Sequence, residues 1–228
     1  MREGALRIRK AALDLNVKRV IIGECGHAWR VAYSFWNTLS GIGTGAEDEY
    51  AMRLQNQLDS QYPQPQHMIE FTYDLIKNNK LTFEKSNNDH RVVTFHDSCN
   101  VARGSNMGNI EDGQFILPRE VIKAACNNFI DMPKNTIKSA TFCCGGGGGL
   151  LTDDLIDLRI KGAKPRMHAL RKSEQESGVN TLAAICAICK SQFSKVLPNY
   201  DFDPYMVVSV HQLVSDAIVL KQTLEQKN

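Results

Sequence analysis

Apolar and polar positions fall into blocks along the chain, and the period of the blocks changes. Over residues 2–16, Ala5, Leu6, Ile8, Ala12, Leu13 and Leu15 are interleaved with basic residues at helical spacing. Val17 to Ile22 is β-branched and predicts a short strand, with Gly23 to His27 as its turn and a helix from Trp29 to Leu39. Residues 41–50 read as loop; their GxGxG follows a helix rather than a strand, so it does not make a dinucleotide fingerprint. A proline break at 63–66 precedes a helix from His67 to Lys77, and the polar run 85–90 predicts a domain boundary. Beyond it, strands are expected at Val92–Phe95, Ser139–Phe142, Thr181–Ile185 and Val207–Val210. Helices are expected at Pro118–Phe129, with proline in the first turn, at Lys164–Ser177, stopped by Gly178, and at His211–Gln222. Strands alternating with helices predict an α/β fold with a parallel sheet and helix crossovers.

Length and composition narrow the class. At 228 residues, one large or two small domains can form a proper core. With 43% apolar residues and a net charge of +2, composition argues for neither nucleic acid nor an anionic membrane surface. No apolar run approaches the roughly 20 residues of a spanning helix. The first residues lack the apolar segment of a signal peptide, which predicts a cytoplasmic location. Seven cysteines in such a setting point to reduced thiols or metal rather than disulfides.

The cysteines carry the chemistry. Cys143 and Cys144 are adjacent and run into five glycines, Gly145 to Gly149. A vicinal disulfide would be strained, whereas two thiolates can face one metal group if the backbone folds back, which glycine permits. Cys99 lies upstream with 43 residues between it and Cys143, and Cys186 and Cys189 form a CxxC downstream with 41 residues between Cys144 and Cys186, giving C, CC, CxxC at even spacing. Zinc on four of the five is an alternative, although zinc usually draws on spaced C-x₂₋₄-C pairs. A redox dithiol at CxxC is another, but it gives Cys99 and the CC pair no task. Cys126, in a predicted helix, reads as a small buried hydrophobe. His96 and Asp97 are the candidates for proton delivery beside Cys99, with His27, Asn100 and Arg103 as weaker polar candidates.

The set formed by HDSCNVARG, FCCGGGGG and CxxC resembles the cysteine-rich CCG domain of the heterodisulfide reductase B/D family. With GECGHAWR, it looks most like the DsrK-type subunit of sulfite-reduction-associated complexes. The resemblance covers nearly the whole chain and matches the carboxyl-terminal part of such proteins. It implies that Cys99, Cys143, Cys144, Cys186 and Cys189 hold a noncubane [4Fe-4S] cluster. It also implies an iron–sulfur oxidoreductase subunit that reduces a disulfide or related sulfur substrate. The partners it implies are a membrane quinol-oxidising subunit, a ferredoxin-like cluster donor, and a small thiol or sulfur-carrier protein as substrate. Location is then cytoplasmic, peripheral at the inner face of the membrane through those partners. A subunit of a lactate- or glycolate-oxidising complex is the second reading, and a non-catalytic zinc-binding assembly module the third.

Arg2, Ala5, Leu6 and Arg7 recur as Arg166, Ala169, Leu170 and Arg171, and Phe71 and Asp74 recur as Leu213 and Asp216. This internal repeat, taken with the resemblance, predicts two units. Residues 1–87 are the rear half of a degenerate first CCG copy, and residues 88–228 are a complete one. At the first offset Cys25 falls on Cys189, with Ile22 in place of its CxxC partner.

Overall fold

The computed structural model describes residues 2–35, 65–108 and 110–220. The predicted loop 41–50 and the ends of the predicted helices at Leu39 and Gln222 lie outside them. Helix α1 (Arg2–Asp14) leads to strand β1 (Val20–Ile22) and helix α2 (Gly26–Arg30), which continues as a π-helical turn. Strand β2 (Pro65–His67) and helix α3 (Met68–Lys77) follow. The prolines at 63–66 therefore do not break the chain throughout: Pro65 opens a strand, as it can at a first strand position. His67 caps α3, its ring accepting the Ile69 N–H at 3.1 Å while Glu70 takes the His67 N–H.

The second part runs β3 (Val93–His96), α4 (Cys99–Ala102), α5 (Gly113–Ala125), α6 (Ile156–Ser177), β4 (Thr181–Ala184), α7 (Ala187–Val196), β5 (Val207–Ser209) and α8 (Val210–Ala217). Both sheets are parallel: β1 pairs with β2, and β3, β4 and β5 lie in that order. All residues of β3 and β4 are buried, because helices cover both faces. Along β4 the pleat sends Ala183 to one core and Leu182 to the other. The first core joins Trp29 and Ile69 of the amino-terminal part to Val93, Phe95, Val121 and Leu213. Asn88, at the predicted boundary, is buried and donates to the carbonyls of Ala125 and Leu213 at 3.0 and 2.9 Å.

Pro118, expected in the first turn of a helix, lies inside α5 instead, and Pro165 lies inside α6. Each removes one helical N–H, but Leu117, Val121 and Ile122 in α5 and Ala163, Met167 and Leu170 in α6 are buried. That burial outweighs the lost bond. Ser139–Phe142 is not a strand: Lys138–Ala140 is a 3₁₀ turn, and the Thr141 hydroxyl donates to the Asp97 carbonyl at 2.8 Å.

Candidate metal centre

Three loops at the carboxyl ends of strands or strand-like segments converge, the usual place for sites in parallel α/β sheets. The first follows β3. Asp97 takes a bidentate pair from Arg119, both bonds at 2.8 Å, and the Lys138 N–H at 2.7 Å. Its carboxylate is thereby committed to anchoring, and the loop delivers Ser98 and Cys99 at the start of α4. The second loop holds Cys143 and Cys144. Gly145 has φ +88°, and a Cβ there would lie 2.3 Å from the Arg159 carbonyl, so no other residue fits. Its amide donates to the Cys143 sulfur at 3.3 Å. The third loop follows β4, with Cys186 capping α7 and Cys189 in its first turn.

All seven cysteines are free thiols, and the five predicted ligands form one contiguous chain of sulfur contacts. The order is Cys99, Cys143, Cys144, Cys189, Cys186. Cys143 accepts from Cys144 and Cys99, which holds it as thiolate at about 2; donating to Cys143 pushes Cys144 to about 12 and Cys99 upward. Cys186, accepting from Cys189, is held at about 4, and Cys189 is driven well up by its bonds to Cys144 and Cys186. Cys144, Cys186 and Cys189 are buried, whereas Cys99 and Cys143 are partly exposed, so the centre opens on one side. Near that opening Asn100 bonds His27 and Arg30, and Arg103 donates to the carbonyls of Ser139 and Thr141.

His96 is buried beside the thiols. One of its ring nitrogens and the sulfurs of Cys144 and Cys189 lie within 4.8 Å of one another. Burial, then the Arg166 charge, keeps the ring neutral, and the edge of Phe193 packs on it at 4.8 Å. Cys126 is not in this group; it packs with Val121 and Val93 in the first core, and burial raises it to about 11.

Two further residues were missed in the sequence. Arg159 and Arg166 are almost wholly buried. Among the described residues Arg166 meets only neutral acceptors: the Thr136 carbonyl, the Thr141 hydroxyl at 2.8 Å and the Met132 sulfur. Burial lowers it to about 10. A signal for them exists in the sequence, since Arg159, Ala163, Arg166, Met167 and Leu170 share one helical stripe that is otherwise apolar. Eight buried side-chain atoms lack a hydrogen-bond partner among the described residues, and five of them belong to His96, Arg159, Arg166 and Gln192. Such atoms are costly unless something meets them. Arg159 reaches the exposed Asp153 at 3.8 Å, but the buried Arg166 guanidinium bonds no carboxylate among the described residues and calls for an anion, and a metal–thiolate group is one. The residues present fit a polythiolate metal group.

The match with known families covers residues 93–194 and is to CCG, a cysteine-rich domain. It runs from β3 into α7 and takes in all five thiols. The chain carries a CCG cysteine-rich domain. Across the CCG domain and the residues before it, the chain is 39% identical over 229 residues to the Hdr-like menaquinol oxidoreductase iron-sulfur subunit 2 of Archaeoglobus fulgidus. That alignment covers 94% of this chain and 40% of the relative. A similar protein of Archaeoglobus profundus is 38% identical over the same shares. A dihydromethanophenazine:CoB–CoM heterodisulfide reductase component from Methanosarcina mazei is 31% identical over 156 residues, 68% of this chain and 34% of that one. The chain thus spans about 40% of the length of the Archaeoglobus relatives.

The strand registers revise the place of Cys25. Ile22 pairs with His67, the cap of α3, as Ala184 pairs with Ser209, the cap of α8. Cys25 caps α2 as Cys186 caps α7. Cys25 therefore stands in the place of Cys186, and Ala28 in that of Cys189. The offset read from the sequence slips because the first turn holds one more residue between strand and cap.

Proposed function

We propose that this chain is the cluster-bearing part of an iron–sulfur oxidoreductase subunit, with Cys99, Cys143, Cys144, Cys186 and Cys189 as ligands. The observation that carries it is the contiguous array of five thiols, one more than zinc or an ordinary cubane uses, set among buried donors without partners. The fifth ligand favours the noncubane [4Fe-4S] type. When bound, the cluster supplies single electrons at low cost in rearrangement.

The chain's own residues hold and tune it. Arg166 and Arg159 offset its negative charge from the α6 side. Gly145 brings its amide to Cys143. His96, neutral and buried, offers a ring N–H beside Cys144 and Cys189 as a hydrogen-bond donor. Asp97 acts through its Arg119 pair, fixing the loop that aims His96. The substrate of this reading is a disulfide or related sulfur compound, on a small thiol or a sulfur-carrier protein. It reaches the opening at Cys99 and Cys143. The likeness to a menaquinol oxidoreductase subunit and to a heterodisulfide reductase subunit supports a quinol-oxidising partner and a disulfide substrate, and a ferredoxin-like donor completes the route. No helix among the described residues is long and apolar enough to cross a membrane. Attachment in this reading is therefore peripheral, at the cytoplasmic face, through partners. We also read residues 1–87 as the rear of a first copy and 88–228 as the complete one.

The test is anaerobic purification with iron, acid-labile sulfide and zinc assays, followed by low-temperature EPR with and without a thiol substrate. Iron and sulfide in near equal amounts and an EPR signal that changes with thiol are expected. A colourless zinc protein would replace this reading with an assembly module.

A further inference from the structure

The Gly23–Gly26 turn belongs to the unit without a ligand set, yet it lies against the CxxC of the other. A Cβ on Gly26 would come within 3.0 Å of the Ser98 hydroxyl and 3.3 Å of the Cys186 sulfur. The Gly26 amide donates to that sulfur. In return the Ala187 N–H donates to the Glu24 carbonyl at 2.8 Å. The Glu24 carboxylate takes the Lys190 ammonium, the Ser209 hydroxyl at 2.6 Å and His211 Nδ1 at 2.6 Å. His211 Nε2 in turn meets the Thr72 hydroxyl at 2.9 Å.

Burial opposes the charge on Glu24, but the bonds from His211, Lys190 and Ser209 outweigh it and hold the carboxyl at about 2. Lys190 directly follows Cys189, so its ammonium is the nearest cation in sequence to the ligands. Pairing with Glu24 both neutralises it and draws it to the β1–α2 turn.

We infer that the Gly23–Gly26 turn is an outer layer of the metal centre, in which Gly26 bonds Cys186 and Glu24 fixes the charge of Lys190, so that the degenerate unit sets the centre's reduction potential. This rests on the five-cysteine reading above. Both are positioning residues, acting through Cys186 and Lys190. An N–H bond to a ligand sulfur raises the potential, since it favours the more negative reduced state. A free ammonium beside the ligands does the same, and an unpaired carboxylate the opposite.

The test is a redox titration followed by EPR on the anaerobically loaded full chain and four variants, with iron content measured in each. Glu24→Gln should raise the midpoint potential, and Lys190→Met should lower it. The double variant should return towards the parent, because a neutral pair replaces a neutral pair. Gly26→Ala should lower it, its Cβ lengthening the bond to Cys186. Shifts of the same sign for Glu24→Gln and Lys190→Met would mark a mere packing defect and overturn the inference. So would an unchanged potential in all four at full iron content, which leaves the ligand assignment intact. If Glu24→Gln fails to fold, Glu24→Asp, which keeps the charge, should hold the parent potential while Lys190→Met lowers it, and equal lowering in both would overturn the inference. A parent chain without iron would refute the five-cysteine reading and this inference with it.

Discussion

β1 leads through Gly23 and Glu24 to Cys25 and α2, as β4 leads through Ile185 to Cys186 and α7. In both, the cysteine carbonyl accepts the N–H four residues on, from Trp29 at 2.9 Å and from Lys190 at 3.0 Å. Each strand is flanked by a parallel neighbour whose last residue caps the next helix. The chemistry differs. Cys186 joins four other thiols, whereas Cys25 has Ala28 where a second ligand would be. The difference teaches that the backbone of such a unit does not depend on its thiols. It is held by strand pairing and by Trp29 and Ile69 in the shared core, so the frame stands without a thiol cluster.

The sharpest way to break that comparison is to remove matched cysteines. Cys186→Ser and Cys144→Ser should each lose most of the bound iron, while Cys25→Ser and Cys126→Ser keep it, by metal analysis of anaerobic protein. Loss of iron in Cys25→Ser would restore a ligand role to the first unit. Next in size is the shared core. Ile69→Ala should destabilise the whole chain in one transition by about 2–5 kcal/mol in chemical denaturation, the usual range for a buried deletion of this size. Two separate transitions would show that the units fold apart.

The glycine loop comes third. Gly145→Ala with Gly146→Ala should impair cluster insertion more than folding. Position 145 carries a positive φ and faces the Arg159 carbonyl, and position 146 would meet the Gln192 side chain at 3.0 Å. Normal loading, with normal circular dichroism, would reduce the glycines to a tether.

The smallest effect concerns the cap of α3. Burial depresses His67 from the usual histidine value to about 4, so the folded state resists a proton that the unfolded chain accepts below about pH 6.5. Stability from this group is therefore whole above that pH and is lost as pH falls towards 4. Between pH 7.5 and 5.5 the loss should be about 1 kcal/mol. His67→Asn keeps a capping side chain and should flatten that part of the pH profile. An unchanged slope would place the acid sensitivity elsewhere.

Much of this is readable in the amino-acid pattern. The β-branched run at Val20–Ile22 and the short apolar run at Thr181–Ala184 both predict strands; the second is buried on both faces, which leaves a parallel strand little else to encode. The five cysteines stand out because C, CC and CxxC recur at even spacing, and the fold brings all five side by side. Pro118 misleads, since the packing of α5 overrides a single lost bond and the helix begins before it. Ser139–Phe142 misleads for the opposite reason: no strand among the described residues pairs with it. Arg159 and Arg166 escape notice because a lone arginine in a stripe usually reaches solvent. Glu24 is invisible, since its partners Lys190, Ser209 and His211 are more than 160 residues away in sequence.

The one-sided opening of the centre also decides how it should fail. Three of the five clustered thiols are sealed, and the two at the mouth, Cys99 and Cys143, meet whatever diffuses in. Oxidative damage to cysteine follows access and thiolate character, climbing from sulfenic to sulfonic acid. Protein aged in air should then carry its first oxygen adducts at Cys99 and Cys143, with Cys144, Cys186 and Cys189 still intact by peptide mass spectrometry. Corrosion would proceed inward from one rim, and the last sulfur lost would be one beneath the degenerate unit.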